Sequence, residues 1–334
     1  MAARTPEELQ RTARRRRLAK GHLIGAAAIG VPALANAWVR RRAGRLQAPT
    51  WGRPRFYAWK HGEVAFQQLG KGPPLLLLHS FGPGHDSTEW QRAAEILADE
   101  HRVFAVDLLG WGRSEKPPIT YDGEIYIQLV RDFLEDVVRE PALLGAAGLS
   151  AAYAIQLGVD RPDLVRSLAV VSPLGLDLHG EEPDLKDALL HRFLRLPILG
   201  TSALNVYTSR SGITNHLRNE VYAAPERVDA ALVEHHYRAS HEPGASASLA
   251  AYLAGYLNHS VKAVLPRLGQ PVFIAWGRQA KSPAVDRSDQ WLKHLPQAHL
   301  EVFKGAGTLP HAETPVAFCR QLSAFFTDQA SAEA

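Results

Sequence analysis

Two hydroxyls, one imidazole and one carboxylate stand just beyond short apolar runs of the chain. Ser80 follows Leu75–Leu78, Ser150 follows Leu143–Ala146, Asp177 follows Leu168–Val171, and His311 follows Leu300–Phe303. These are the residue types of nucleophilic acyl transfer. A serine hydroxyl attacks a carbonyl when an imidazole takes its proton and an acid orients that imidazole. Such a set needs a serine oxygen within about 3.2 Å of a histidine nitrogen. Each residue also has a plainer reading. Ser150 fits a small residue on the first turn of a helix that packs closely on a strand. Ser80 fits a loop cap, His311 fits packing with Glu313, and Asp177 fits a solvated surface group near Asp184. The single cysteine, Cys319, sits in a helical pattern near the C-terminus and reads as a packed thiol. It excludes an internal disulfide and Cys-ligated metal, and no His residues show HExxH-like spacing, so no metal or other cofactor is expected.

The elements that must position these groups alternate between short apolar runs and longer amphipathic stretches. The pattern predicts strands at Phe56–Trp59, Val64–Gln67, Leu75–Leu78, Val103–Val106, Leu143–Ala146, Leu168–Val171, Val272–Ala275 and Leu300–Phe303. The later runs lack period-two alternation, as expected of strands buried on both faces of a parallel sheet. Helices are predicted at Thr88–Ala98, Glu124–Val138, Leu149–Gly158, Ser288–Leu295 and Pro315–Phe326. The last opens on Thr314 as N-cap with Pro315 at the first helical position, and its Phe318, Leu322, Phe325 and Phe326 form one apolar stripe. Strand–helix alternation of this kind gives a doubly wound, mostly parallel eight-stranded α/β sheet. Residues 178–265 break the alternation and read as a helical cap over the C-terminal strand edge, where such sheets bind ligands. Tyr222, His235, His236, Tyr237 and Tyr252 give that cap a high density of amphipathic rings, which either line a pocket or pack its helices together.

Hydrophobic residues at 46% and charged residues at 22% are globular values that leave material for a sizeable core. The formal charge of +4 is concentrated at one end. Arg11, Arg14–Arg17 and Lys20 precede an uncharged run, Gly21–Val39, and Arg40, Arg41, Arg42 and Arg45 follow it. Basic residues flanking an apolar run point to anionic lipid head groups, and the near-neutral remainder makes nucleic acid a poor partner. Three readings of this leader stay open. It is an anchor or interfacial helix, with the run long enough to span a bilayer but interrupted by His22, Pro32 and Asn36. It is an export signal, with a twin-arginine-like Arg15-Arg16-Arg17-Leu18-Ala19-Lys20 and an A-x-A site at Ala35-Asn36-Ala37. Or it is a soluble arm. The expected organisation is a basic arm (1–20), a membrane-directed segment (21–39), a linker (40–54), a core (55–177 and 266–328) and the cap (178–265).

Six stretches resemble the α/β-hydrolase family: LLLLHSFG (75–82), AVDLLGWGRSEKP (105–117), LLGAAGLSAAYAIQL (143–157), DRPDLVRSLAVVSP (160–173), PVFIAWGRQA (271–280) and GAGTLPHAETPVAF (305–318). They fall in the family's order and spacing from about Tyr57 to Phe326. The resemblance implies the doubly wound fold and a serine nucleophile in a G-x-S-x-G elbow, with an acid and a histidine on two further loops. In this chain Gly148 stands in the nucleophile's slot, Ala280 falls in the acid's, within a stretch (278–281) that has no carboxylate, and Thr308 fills the histidine's. The oxyanion hole implied by the resemblance uses backbone N–H groups, here of Phe81 and Leu149, which do not depend on side-chain identity.

The sequence therefore leads to an α/β-hydrolase fold with a degenerate triad. The expected function is binding of a small apolar ligand under the cap, or altered chemistry at the oxyanion hole. The alternative is an ester or acyl hydrolase with a relocated set, Ser80 or Ser150 with His311 and Asp177.

Overall fold

A computed structural model of the protein describes residues 29–176 and 183–333. The eight expected strands are all present: β1 (Arg53–Trp59), β2 (Gly62–Leu69), β3 (Pro74–Leu78), β4 (Arg102–Val106), β5 (Ala142–Ala147), β6 (Val165–Val171), β7 (Val272–Gly277) and β8 (His299–Phe303). They form one sheet in the order β1-β2-β4-β3-β5-β6-β7-β8. β2 is antiparallel to β1 and β4, and every other pair is parallel. The interior strands β3 and β7 are buried at every residue, which is why their sequences run apolar without alternation. The edge strand β1 exposes Arg53 and Arg55, charges that discourage pairing with another chain.

Helices α2 (Gln91–Leu97) and α12 (Pro315–Glu333) cover one face of the sheet, where Leu75, Leu77, Trp90, Phe273, Phe318 and Leu322 pack together. The other face carries α3 (Gly123–Phe133) and α4 (Ser150–Asp160), with Leu76, Leu78, Tyr126, Leu129 and Ile155 in its core. The predicted stripe of α12 is buried as expected. Its start differs. Thr314 closes the short helix α11 (Pro310–Glu313), and its hydroxyl donates back to the Pro310 carbonyl at 3.0 Å. Cys319 is a packed thiol that burial pushes up to about 12.

The described part of the insert is helical: α5 (Leu185–Leu194), α6 (Leu199–Tyr207), α7 (Arg210–His216), α8 (Ala230–Ser240) and α9 (Ala245–Leu253). Ahead of the sheet, residues 29–43 form a helix, α1. Its Asn36 donates to the Ile198 carbonyl at 3.1 Å and accepts from Ser202 and Asn205 at 3.1 and 2.9 Å, so the helix lies against α6. The basic arm 1–20 and the first part of the apolar run, 21–28, fall outside the described residues. A bilayer-spanning helix is not supported: none among the described residues is long and apolar enough to cross a membrane. In α1 the apolar stretch gives way to Arg40, Arg41 and Arg42 within the helix itself.

Candidate functional site

The site lies at the C-terminal ends of β3 and β5. β5 leads into α4 through a tight turn whose tip is Gly148, at φ +57°, a left-handed conformation that costs other residues roughly 1–2 kcal/mol. Its N–H donates to Val171 on β6 at 2.9 Å, and its carbonyl accepts from Leu174 at 3.1 Å, so the turn is held by the neighbouring strand. Two residues on, Ser150 is fully buried and its hydroxyl donates to the His79 carbonyl at 2.6 Å. That bond ties the start of α4 to the loop after β3 and uses the only proton the hydroxyl has.

The loop after β3 runs from His79 to Asp86. His79 holds it in place: Nε2 accepts from the Leu108 N–H at 3.0 Å, while Nδ1 lies 2.6 Å from the Ser80 carbonyl and donates to it. Asp86 caps the following turn by accepting from Thr88 N–H at 2.9 Å. It is also 2.9 Å from His235 Nε2 of α8 and 3.4 Å from Arg113. Burial opposes its charge, but His235 and Arg113 outweigh burial and hold the carboxyl well below the usual carboxylate range. His236 donates to the Pro83 carbonyl at 2.9 Å, a second link between the cap and this loop. Asp107 accepts from the N–H groups of Ser87 and Arg113, a structural role at the turn after β4.

At the centre are two residues that the sequence reading did not select, His85 and Glu89. Glu89 accepts from Ser80 twice, at 2.8 Å from its N–H and 2.7 Å from its hydroxyl. The Ser80 hydroxyl is also 2.8 Å from Nδ1 of His85, and that nitrogen is 3.0 Å from Glu89. The tautomer follows from the partners. Facing a carboxylate oxygen, Nδ1 must carry the proton, because a lone pair there would meet another lone pair. His85 Nδ1 is therefore a donor toward Ser80 and Glu89, and Nε2, buried and without a partner among the described residues, is the nitrogen left over. The spacing Asp86-x-x-Glu89 signals a capping box, in which the Glu side chain returns to its own N-cap. In the folded chain it turns to Ser80 instead.

His311 stacks on Trp90 with ring centroids 3.7 Å apart. Its Nε2 is 3.6 Å from Glu89, within ion-pair range but beyond a hydrogen bond. Burial pushes the imidazole down, toward its neutral form. Burial also opposes ionisation of Glu89, yet His311 and His85 hold its carboxyl well below the ordinary range. His311 does not pair with Glu313, which accepts instead from the N–H groups of Gly307 at 2.5 Å and Ala223 at 3.0 Å. Thr308 donates its hydroxyl to the Glu220 carbonyl at 3.0 Å, joining its loop to the cap. Ala280 is buried in the turn after β7, where its N–H donates to Gly277. Asp177 falls outside the described residues. Of the three candidates for a relocated set that lie among the described residues, Ser80 alone brings its side chain within hydrogen-bond distance of another residue's imidazole, and that imidazole is His85.

A cavity of about 120 Å³ opens between Gly148 and the cap. Phe81, Leu149, Leu174, Val221, Tyr252 and Leu309 supply its apolar wall, and Ser80, His85, His216, Glu220, Ser282 and Thr308 its polar one. The N–H groups of Phe81 and Leu149 donate to no backbone carbonyl among the described residues. Of the cap rings, Tyr252 reaches this cavity, 6.3 Å from the ring of Phe81, while Tyr237 packs against His241 within the cap. Tyr222, His235 and His236 line a wider open groove of about 760 Å³, bordered by charged residues such as Arg92, Glu95 and Glu226.

Comparison with known proteins places this geometry. Residues 75–321 match the model of the alpha/beta hydrolase family. Among curated relatives, the chain is 32% identical over 136 residues to 2-hydroxy-6-oxo-6-(2'-aminophenyl)hexa-2,4-dienoic acid hydrolase of Metapseudomonas resinovorans, a match spanning 40% of this chain and 46% of that protein. It is 24% identical to 2-hydroxymuconate semialdehyde hydrolase of Pseudomonas sp. (strain CF600), over 78% of this chain and 88% of the relative. The crystal structure of a serine hydrolase involved in carbazole degradation superimposes with a TM-score of 0.67 at 19% identity, covering 82% of this chain and 98% of that one, a likeness of fold. The eight-stranded sheet, its strand order and the family match over residues 75–321 together establish that the chain belongs to the alpha/beta hydrolase family.

Proposed function

We propose that this protein has a degenerate triad and binds a small, largely apolar ligand in the cavity over Gly148, with a carbonyl or carboxylate oxygen held by the N–H groups of Phe81 and Leu149. The observation that carries the proposal is the environment of Ser80, a hydroxyl in that cavity's polar wall. Its proton points to Glu89, and the imidazole nitrogen beside it already bears a proton. A nucleophilic serine needs the reverse, a lone pair on the nitrogen it faces. Glu89 is no substitute base, because a carboxyl held so far below its ordinary range is a weak proton acceptor. Gly148, Ala280 and Thr308 bring no nucleophile, acid or base to the slots that the resemblance assigns them.

The cavity's size sets the ligand class. About 120 Å³ holds the equivalent of roughly four waters, well below the ~300 Å³ of the smallest drug-sized pockets. A short acyl chain ending in a carboxylate or ketone fits that volume and the wall's division into apolar and polar sides. Calorimetric titration of the full chain with butanoate and with 2-pentanone tests this. Saturable binding of at least one, abolished by Leu174→Trp, which fills the cavity, is the expected result. Absence of saturable binding for both, or binding unchanged by Leu174→Trp, rejects it.

The competing reading is a serine hydrolase relocated to Ser80. Its support is the 2.8 Å contact between the Ser80 hydroxyl and His85. Covalent labelling of Ser80 by a fluorophosphonate separates the two.

A further inference from the structure

Three helices of this protein turn their large apolar side chains away from it. On α1, Val31, Leu34 and Trp38 follow one another at i, i+3 and i+7 and are 64%, 74% and 57% exposed. Arg42, one turn further, places its guanidinium 4.6 Å over the Trp38 ring. The other side of the same helix presents Asn36 to α6. Asn36 and small residues such as Ala33, Ala37 and Ala43 thus face the protein while the large apolar side chains face out, the inverse of a helix packed on a water-exposed surface. The cap repeats the arrangement. On α5, Leu185, Leu189 and Phe193 line up at i, i+4 and i+8, all exposed, while His191 and Leu194 are buried. On α6, Leu199 and Val206 are 57% and 72% exposed.

Scattered exposed apolar residues need no explanation, but a concentrated set does. Among the described residues, twelve of the fifteen large apolar side chains that are exposed belong to α1, α5, α6 and the short link between the last two. These helices are neighbours. Asn36 fastens α1 to α6, and α5 runs into α6 through Arg195–Ile198. Charge then selects the occupant. Arg40, Arg41, Arg42 and Arg45 are exposed at the end of α1, and Lys186, Arg192 and Arg195 are exposed along α5, against Asp184 and Asp187. A second copy of the chain would bring like charges together, whereas anionic lipid head groups would neutralise them.

We propose that α1, α5 and α6 form a face that lies on an anionic lipid bilayer without crossing it. The apolar stripes enter the boundary between head groups and acyl chains, and the arginines meet the phosphates. The cap is thereby part of the membrane contact, which is not left to the N-terminal segment alone. This rests on exposure and charge and stands independently of the ligand reading.

The test is co-sedimentation of the full chain with phosphatidylcholine vesicles containing or lacking phosphatidylglycerol. The wild type is expected to bind the anionic vesicles and to be released by high salt. Leu189→Glu and Phe193→Glu, both exposed and far from the N-terminal arginines in sequence, are each expected to weaken binding about tenfold or more. Trp38→Glu is expected to do the same. Circular dichroism checks that each variant remains folded. Cap variants that bind anionic vesicles as well as the wild type overturn the proposal, because the N-terminal segment would then suffice. So does a wild type that ignores vesicles but sediments as a dimer dispersed by Leu189→Glu, since the face would then belong to a second copy.

Discussion

A side chain on Gly148 would begin 3.4 Å from Cβ of Ser80, an ordinary van der Waals contact. The turn at the end of β5 therefore has room for a small side chain, but that side chain would emerge beside a hydroxyl already committed to Glu89 and His85. The imidazole nitrogen that the Ser80 hydroxyl faces, His85 Nδ1, already carries a proton.

Gly148→Ser is thus expected to fold, with a loss of roughly 1–2 kcal/mol for a non-glycine residue at φ +57°. It is expected to add little ester turnover, because a lone hydroxyl stays protonated near neutral pH and triad members act as a unit. Combining it with Thr308→His and Ala280→Asp should exceed the single change by a wide margin. Initial rates with 4-nitrophenyl butanoate and thermal midpoints measure both effects.

Glu89→Gln keeps one acceptor oxygen and turns the other into a donor, so the Ser80 N–H, the Ser80 hydroxyl and His85 cannot all keep their bonds in a buried site. The expected loss is about 2–4 kcal/mol, more than one buried group losing its partner at about 1–3 kcal/mol each. Ser80→Ala should cost less, about 1–3 kcal/mol, and the two losses should not add because they share one network. Denaturant unfolding of both single variants and the double variant reads this directly.

Acid should destabilise the protein through His236. Burial, with neighbouring His85 and His235 adding to it, pushes this imidazole from 6.5 down to about 3. Between those values the unfolded chain binds a proton that the folded chain refuses, so the unfolded state gains as pH falls. Stability is fully retained above about 6.5 and declines toward 3, by up to about 1.4 kcal/mol per pH unit for this one group. The depressed carboxyl of Glu89 acts in the same direction, its contribution being lost as pH falls through its folded value. Unfolding curves between pH 7 and pH 4, compared with His236→Gln, should show a shallower decline in the variant.

The sheet was legible because its strands are buried on both faces, and burial on both faces writes itself as unbroken apolar runs such as Leu75–Leu78. The α12 stripe was legible for a similar reason, as its Phe318 and Leu322 meet the sheet. The site was legible only in part. Gly148 and Thr308 could be located by their flanking motifs, since the strand ends that carry them are regular. His85 and Glu89 could not, because their partnership depends on Glu89 leaving a capping role and turning toward Ser80, which no spacing announces. The outward apolar stripes of α5 and α6 look in sequence like ordinary core-facing stripes. Which way a stripe points is settled by its neighbours, and Asn36 is the neighbour that reveals it for α1.

The most direct measurement is labelling of the purified full chain with a fluorophosphonate, read by intact mass and by mapping of any modified peptide. Such a probe reports an activated serine whatever the natural ligand is. With Ser80 donating to Glu89, Ser150 donating to the His79 carbonyl and glycine at position 148, the predicted result is no adduct under conditions that fully label a working serine hydrolase. A stoichiometric adduct on Ser80 that disappears in His85→Asn, with the variant still folded, would contradict the account.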